Sequence, residues 1–257
     1  MKKFKKIIQV IISILFWIGI WAIVSYKINN SFLIPSPKAV IYNTFKLIHT
    51  SEFWSITSSS LLRILWGIII AVFIGIAIAI ITSRISFLNI LVTPIMSAVK
   101  ATPVASFIFI AIIFMNRDYL PVFITALLVL PIVWTNVSSG IKSVPKELKD
   151  VTRVYRFSPS KQLTKLYIPS ILPYFLAACR SALGLAWKAG VAAEVLCTPK
   201  SAIGTELYFS KTYLDTEMLF TWTLITIILS LILEKSIILL LSKLPIKVAD
   251  KNSEVRA

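Results

Sequence analysis

The 257-residue sequence has little of what metal centres, disulfide frameworks and soluble surfaces require. One histidine and two cysteines leave almost no material for a metal cluster or a set of disulfides, so no metal site and no catalytic residue is predicted. Charged residues make up 15% of the chain, against about a quarter in soluble proteins. The seven glycines never take the spacing of a phosphate-binding G-x-x-x-x-G-K loop, which excludes that type of ATP site.

Hydrophobic residues are abundant instead, at 57%, which is more than one soluble core of this length can hide. A membrane span needs about twenty mostly apolar residues. Six segments qualify: roughly 7–26, 61–82, 91–115, 119–139, 170–196 and 218–242. We therefore predict an all-α polytopic membrane protein in which residues 1–257 form one transmembrane domain. The first segment imitates a signal peptide but lacks a small-residue cleavage site, so we expect it to be retained.

The cations are unevenly distributed around these spans. With Met1 inside, the inner segments hold 16 Lys or Arg, including four after Ser242, and the outer segments hold 6. This bias predicts that both termini are cytoplasmic. The net charge of +16 is then a property of membrane topology, and a nucleic-acid partner is not expected.

Small residues recur every four positions in two of the spans, so each set lies on one helix face. In membranes such faces allow close approach of helix backbones, which predicts a bundle seam or a dimer seam. Because Ala and Gly are common in any membrane helix, a generic helix is the alternative. The two sets are Gly67, Ala71, Gly75 and Ala79 in the second span, and Ala178, Ala182, Ala186 and Gly190 in the fifth.

Charged residues inside the spans are costly unless they are paired or hydrated. Similar depth suggests two ion pairs between helices, Arg63 with Glu194 and Arg180 with Glu234, with a structural or a transport role. The third span carries Pro94, Lys100 and Pro103, and the kinks expected at its prolines predict that it faces protein or a cavity.

Lys188 has no acid at its own depth, because Glu194 lies about 9 Å further along the helix. A hydrated path for an anionic or zwitterionic solute and a purely structural lysine are both open interpretations of this residue. Arg63, Lys100, Arg180, Lys188, Glu194 and Glu234 are the candidate path or ion-pair residues.

A polar, cationic segment separates two of the most apolar spans. Residues 141–173 hold seven Lys or Arg against two acids, and Lys146–Phe157 has the apolar spacing of a short helix. A helix with one apolar face outside the membrane needs a partner to cover that face.

This segment resembles the cytoplasmic coupling loop of ATP-binding cassette importer permeases, placed here at about 143–165. Glu147-Leu148 and Asp150 stand at the acidic start of the family pattern, and Val151-Thr152 replace its two alanines. Arg153 follows as the common arginine, and Ile168-Pro169 and Leu172-Pro173 match the closing prolines. Arg156 stands where the family usually has glycine, which predicts a different turn. IPSPKAV, SLLRILWG and LGLAWKAGVAAE resemble the nitrate, sulfonate and taurine branch.

The resemblance implies a bacterial plasma-membrane permease subunit that is not itself an enzyme. Its partners would be two ATPase subunits that hold ATP and Mg²⁺, a second permease copy, an extracytoplasmic binding protein and membrane lipid. The solute would be an anion or zwitterion, or alternatively a thiamine-precursor-like heterocycle. A passive channel and a membrane-embedded hydrolase are rivals. The hydrolase lacks a nucleophile with a base, and a channel would need no docking helix.

Overall fold

A computed structural model describes residues 2–242 of the chain and, within them, the side chains of residues 8–240. All regular structure in this described part is helical, which confirms the all-α prediction. A five-residue π-helical turn, Leu163–Tyr167, joins α8 to α9. The helices are α1 (Lys2–Ile28), α2 (Pro37–Ile48), α3 (Ser51–Arg84), α4 (Ser86–Ala101), α5 (Val104–Phe114), α6 (Leu120–Lys142), α7 (Lys146–Val154), α8 (Pro159–Gln162), α9 (Ile168–Cys197), α10 (Ile203–Thr212) and α11 (Thr216–Ser242).

Five of the described segments are long and apolar enough to cross a membrane, and α4 with α5 would make a sixth if the two form one span. The structure thus contains five or six candidate spans, in agreement with the predicted number of about six. The side of the membrane on which each terminus lies stays a prediction. The basic residues after Ser242, which contribute to the charge argument, lie outside the described residues.

The third predicted span, 91–115, is not one continuous helix. Its two parts, α4 and α5, meet at an angle of 105°. Pro103 has no backbone N–H and forces the preceding residue towards extended conformations. Thr102 accordingly has φ −79° and ψ 133°, and α5 restarts directly after Pro103. Pro103 thus produces a full break where the sequence predicted a kink, whereas Pro94 lies inside the continuous helix α4.

Helix α3 begins at Ser51, ten residues before the predicted second span. The Thr50 hydroxyl accepts a hydrogen bond from the backbone N–H of Phe53 at 3.3 Å and so satisfies one of the first-turn donors. Phe53 is buried, and its ring stacks on Trp222 at a centroid distance of 5.9 Å. This tertiary packing helps to explain why the polar stretch SEFWSITSSS, outside the predicted span, is helical.

Helix α2 begins at Pro37, which is favoured in a first helical turn because its missing N–H would have no helical partner there. Ser36 caps the helix, since its hydroxyl oxygen accepts from the Ala39 N–H at 3.2 Å. Pro37, Val40 and Thr44 form the buried face. The stretch PSPKAVIYNTFKLIHT therefore contains an amphipathic helix with one buried face.

The chain divides into two compact units. The first contains the residues up to Leu61 together with Glu194–Leu229, and the second contains Leu62–Ala193 together with the residues from Ser230 onward. In the first unit, Val40, Ile203 and Trp222 are among the most deeply buried side chains. The most deeply buried side chains of the second unit include Ile64, Leu120 and Val129.

Candidate functional site

Loop 143–165 contains the nine-residue helix α7, Lys146–Val154. Pro145 directly precedes the first turn, where the acidic Glu147 lies, and Arg153 lies in the last turn. Both charges have the sign that a helix dipole favours at that end. The Asp150–Arg153 ion pair measures 3.5 Å but is largely exposed, so it contributes well under 1 kcal/mol. The helix is therefore formed by local signals and is only weakly supported by charge pairing.

The apolar stripe of α7 faces solvent in the isolated chain. Leu148 and Val151 are 47% and 46% exposed, and Val154 is 78% exposed. Thr152, on the other face, is buried, and its hydroxyl donates to the Lys149 carbonyl oxygen at 2.7 Å. One face of α7 is thus anchored to the chain, and the apolar face lacks cover within the described residues. The predicted coupling role of Leu148, Val151 and Thr152 stays a prediction.

Helix α7 ends in a left-handed turn at Arg156. The φ angle of Arg156 is +46°, in the region where glycine is favoured because a Cβ atom is strained there. The Arg156 N–H donates to the Arg153 carbonyl at 3.1 Å, and the Phe157 N–H donates to the Thr152 carbonyl at 2.9 Å. These two bonds define a Schellman motif. The arginine therefore adopts the backbone conformation for which glycine is the usual residue, although the sequence had suggested a different turn.

The chain after Arg156 returns to α9 through short ordered pieces. Ser158 caps α8 by accepting from the Lys161 N–H, and the Gln162 side-chain amide donates to the Phe157 carbonyl at 3.1 Å. Leu166, in the π-helical turn, is buried. Near the start of α9, a Cβ atom on Gly140 of α6 would lie 3.0 Å from the backbone of Ile171. Loop 143–165 is therefore held at both ends, where α6 and α9 approach closely.

The small residues of the two predicted seams are all buried, and their glycines lie against other helices of the same unit. A Cβ atom on Gly67 would be 2.6 Å from the Thr125 side chain of α6, and one on Gly75 would be 2.9 Å from Val133. A Cβ atom on Gly190 would be 2.5 Å from Ile64 of α3. These contacts describe seams inside one chain. The other members of the two sets, also buried, are Ala71, Ala79, Ala178, Ala182 and Ala186.

Arg63 lies near Asp118, with 3.9 Å between a guanidinium nitrogen and a carboxyl oxygen. Asp118 lies in the turn just before α6, outside the predicted spans, so a search for acids within the spans does not reveal it. Its position next to a span end places it at a depth similar to that of Arg63. The two side chains line an open cavity of about 410 Å³ together with Trp66 and Tyr119.

Glu194 is fully buried at the end of α9 and holds the following loop. Its Oε2 atom accepts from the Ser60 hydroxyl at 2.8 Å and from the Gly204 N–H at 3.2 Å. Ser60 in turn accepts from the Ile203 N–H at 2.9 Å. A Cβ atom on Gly204 would lie 2.4 Å from the Glu194 Cβ, so only glycine fits there. Ser60 is the first residue of SLLRILWG, but no feature of the sequence indicated that it contacts Glu194.

The structure does not bring Arg180 and Glu234 together as an ion pair. Both side chains are exposed, and within residues 2–242 neither forms an ion pair. Glu234 lines a small void with Ser230 and Gly184 instead. Lys188 is also exposed at the surface of α9.

Lys100, at the end of α4, donates to the Thr135 hydroxyl of α6 at 2.9 Å. Thr135 donates in turn to the Pro131 carbonyl at 2.7 Å, so its oxygen serves the lysine as an acceptor. The ammonium group of Lys100 has two further N–H donors, and its side chain is exposed. The sequence had indicated Lys100 as a path residue but gave no indication of Thr135.

A family model described as "binding-protein-dependent transport system inner membrane component" matches residues 67–242, which is more than half of the chain. The chain belongs to this family. It is therefore a multi-pass inner-membrane component of a transport system, and components of this type are not enzymes themselves. The matched region includes α4 to α9, so loop 143–165 and the seams at Gly75 and Gly190 all lie within it.

Individual relatives of this inner-membrane component are permeases with small solutes in their names. The bicarbonate transport system permease protein CmpB of Synechococcus elongatus is 33% identical over 59% of this chain and 55% of its own length. The nitrate import permease protein NrtB of the same species is 26% identical over 76% and 73%. The putative aliphatic sulfonates transport permease protein SsuC of Bacillus subtilis is 23% identical over 88% and 83%. The alignment with the bicarbonate permease spans about half of that relative's length.

Proposed function

We propose that this chain is the transmembrane permease subunit of an ATP-driven importer. It would form the path for a small oxyanion or zwitterion that an extracytoplasmic binding protein delivers. The observation that carries the proposal is the exposed apolar stripe of α7 inside the region that the family model matches. Residues 1–257 would act as one transport domain in the plasma membrane, with both termini and loop 143–165 in the cytoplasm.

The α7 helix suits a groove on a separate ATPase. Leu148, Val151 and Val154 supply an apolar ridge, as in other complexes where a short amphipathic helix fills a groove. Glu147, Asp150, Arg153 and Arg156 surround this ridge with polar groups, which is the usual arrangement of an interface core and rim. ATP and Mg²⁺ would be bound by two such ATPase subunits, since this sequence has no G-x-x-x-x-G-K loop.

The attachment of α7 supports a role in transmitting movement. Thr152 and Leu166 are buried, and α6 meets α9 closely at Gly140 and Ile171, so a displacement of α7 would be passed to two long helices. Movement of rigid elements about an interface is a common way to switch between two states. ATP-driven closure of the two ATPases would thus alternate the permease between inward-open and outward-open states.

A second copy of the chain would complete the path. The Gly and Ala seams are occupied inside one chain, so the second copy needs another surface. Helix α9 offers an exposed face of small, polar and basic residues at helical spacing, which does not suit lipid. These residues are Ala177, Arg180, Ser181, Lys188 and Ala192.

The proposed solute class rests on the exposed intramembrane cations. Lys100, Arg180 and Lys188 are exposed at membrane depth, where an unpaired charge must face water or another subunit. Lys100 is oriented by Thr135 and keeps two donors for a ligand. Bicarbonate, nitrate and sulfonates are all oxyanions and match the names of the relatives. A zwitterion is the second candidate, because the glycine betaine transport system permease protein OpuAB of Bacillus subtilis is 27% identical over 67% of the chain.

The docking proposal is tested with Leu148→Asp and Val151→Asp, which put a charge into the proposed interface. A buried unpaired charge costs several kcal/mol, so we expect loss of the ATPase subunit on co-purification and loss of ATP-coupled uptake. Leu214→Asp is the matched control, because Leu214 is 72% exposed and lies in the turn between α10 and α11, away from α7 in the sequence. Its backbone φ is positive, which aspartate tolerates. Unchanged ATPase assembly and uptake in both variants would contradict the proposal.

The substrate proposal is tested by uptake of labelled nitrate, bicarbonate and taurine into vesicles that contain the whole transporter. Lys100→Met and Lys188→Met should lower uptake of the transported anion by about tenfold or more, because each removes a charge-assisted hydrogen bond of about 1.5–3 kcal/mol. Lys46→Met, in the exposed part of α2, is the control. Wild-type uptake in both membrane variants would contradict a role for these lysines in the path.

A further inference from the structure

An open cavity of about 610 Å³, with several polar side chains in its wall, lies in the first unit, outside the features considered above. It is formed by the end of α1, the turn from Asn29 to Ser36, the start of α2 and the start of α11. Its volume is in the range of pockets that hold small ligands. The polar side chains that line it include Tyr26, Asn29, Asn30, Lys38 and Glu217, together with three serines.

The walls of this cavity are fixed by hydrogen bonds between its elements. The Ser25 hydroxyl donates to the Ile34 carbonyl at 3.1 Å, and the Trp21 ring N–H donates to the Pro35 carbonyl at 3.0 Å. The Thr216 hydroxyl donates to the Phe32 carbonyl at 2.6 Å and so ties the start of α11 to the same turn. A cavity bounded in this way is preformed, so a ligand would not have to order it.

Two charges of opposite sign line the cavity. The Glu217 carboxyl is half-buried, and its Oε2 atom accepts from the Asn43 side-chain amide at 3.1 Å, which fixes its orientation. Lys38 is exposed and has no hydrogen-bond or ion-pair partner among the described residues. The cavity thus offers a cation with three donors at one place and an oriented carboxyl at another. This favours a ligand that carries both an anionic and a cationic group.

The cavity lies where two candidate spans end. Helix α1 ends at Ile28 and α11 begins at Thr216, so the cavity is at the level of lipid headgroups. Tyr26 and Trp21 lie at the same end of α1, as aromatic residues do at a membrane interface. Further along α1, Phe16 and Trp17 are exposed and apolar, so hydrocarbon chains can lie against them.

We propose that this cavity binds the headgroup of a zwitterionic phospholipid with a primary ammonium group, such as phosphatidylethanolamine. The phosphate accepts hydrogen bonds from Lys38 and from the side-chain amides of Asn29 and Asn30, and the ammonium donates to Glu217. The acyl chains lie along α1. Phosphatidylcholine carries no N–H on its cationic nitrogen and cannot donate to Glu217, so the site discriminates between the two lipids.

The test uses the full-length chain in non-ionic detergent, with any subunits that co-purify. Equimolar dioleoyl phosphatidylethanolamine and dioleoyl phosphatidylcholine are added, and the retained lipid is counted by native mass spectrometry. We expect the wild type to prefer the ethanolamine lipid about tenfold, because only this lipid can donate a charge-assisted hydrogen bond to Glu217. Glu217→Gln should reduce the preference, because its amide oxygen is an uncharged and weaker acceptor, and Lys38→Met should weaken binding of both lipids about tenfold. Lys38→Arg, which keeps the positive charge, should bind both lipids about as well as the wild type.

Two matched controls are available in the same unit. Lys46→Met removes an exposed lysine of α2, and Glu52→Gln removes an exposed acid of α3, and neither residue lines the cavity. Equal retention of the two lipids by the wild type would overturn the proposal, as would Lys38→Met and Glu217→Gln variants that behave like these controls. Melting of the lipid-free variants in detergent shows that they remain folded. Glutamine at position 217 can still accept from Asn43, so this variant is expected to fold.

Soluble zwitterions offer the same pair of charges without acyl chains. O-phosphoethanolamine and taurine are therefore added as competitors in the same experiment. The lipid proposal requires that neither displaces phosphatidylethanolamine at a similar concentration. Displacement by either compound would overturn the assignment to a lipid and would identify a site for a soluble solute.

Discussion

Replacement of Gly204 by alanine tests the attachment of the loop that follows α9. A Cβ atom at this position would lie 2.4 Å from both the Cβ of Glu194 and the backbone nitrogen of Val195. These neighbours belong to the backbone or to its first side-chain atom, so they cannot rotate away. The start of α10 would have to move by about 1 Å to reach ordinary contact distances. Such a shift would break the hydrogen bond from the Gly204 N–H to Glu194 and disturb the one from Ile203 to Ser60.

The expected loss of stability combines two effects. Overfilling a well-packed site costs about 1–3 kcal/mol, and one lost buried hydrogen bond costs about 1 kcal/mol more. We therefore expect Gly204→Ala to destabilise the fold by about 2–4 kcal/mol. At about 2–4 °C for each kcal/mol in a chain of this size, the melting temperature should fall by roughly 4–16 °C.

The assay is thermal unfolding in detergent, followed by tryptophan fluorescence at a fixed scan rate. Gly19→Ala is the matched control, since a Cβ atom on Gly19 meets nothing within 4 Å and α1 gains a better helix former. The control should melt at or slightly above the wild-type temperature. If Gly204→Ala melted together with Gly19→Ala, the close approach of α10 to Glu194 would be wrong.

Two further predictions concern single residues. Arg156→Gly should raise the melting temperature or leave it unchanged. Glycine relieves about 1–2 kcal/mol of strain in the left-handed conformation, but it also increases the conformational entropy of the unfolded chain, which offsets part of that gain. Arg156→Val should lower the melting temperature. Burial, and then the negative charge of Glu52, raise the pKa of Glu206 above its ordinary value of 4.5. The protonated side chain is thus favoured in the fold, and its contribution to stability is present below pH 4.5 and is lost as the pH rises through the raised pKa. Thermal melts between pH 4 and pH 8 should therefore show Glu206→Gln gaining stability over the wild type as the pH rises, and parallel curves would contradict this.

The helical class and the candidate spans were predictable because they depend on the number and spacing of apolar residues along the chain. The short helix α7 was predictable for the same reason, since its apolar spacing and Pro145 are local signals. Partners brought in by tertiary packing were not predictable. Ser60 and Gly204 meet Glu194 from 134 and 10 residues away, and no local pattern records this contact.

Depth along the membrane was a useful but incomplete guide to charge pairs. It suggested Arg63 with Glu194, which stays a prediction, and Arg180 with Glu234, which form no ion pair within the described residues. Two side chains at equal depth can point in different directions around their helices. A guanidinium nitrogen of Arg63 lies 3.9 Å from a carboxyl oxygen of Asp118, a residue outside the predicted spans. Angular position depends on how the helices pack, and a single sequence does not contain that information.

The break between α4 and α5 has a consequence for how the protein enters the bilayer. Around Thr102 and Pro103 the regular helical hydrogen bonds are interrupted, and hydrocarbon cannot replace them. A solitary chain at this depth would expose peptide groups to lipid at a cost of several kcal/mol for each unsatisfied group. Water in a pore or the surface of another subunit removes that cost. The proposed second copy of the chain would therefore couple insertion of this segment to assembly of the oligomer.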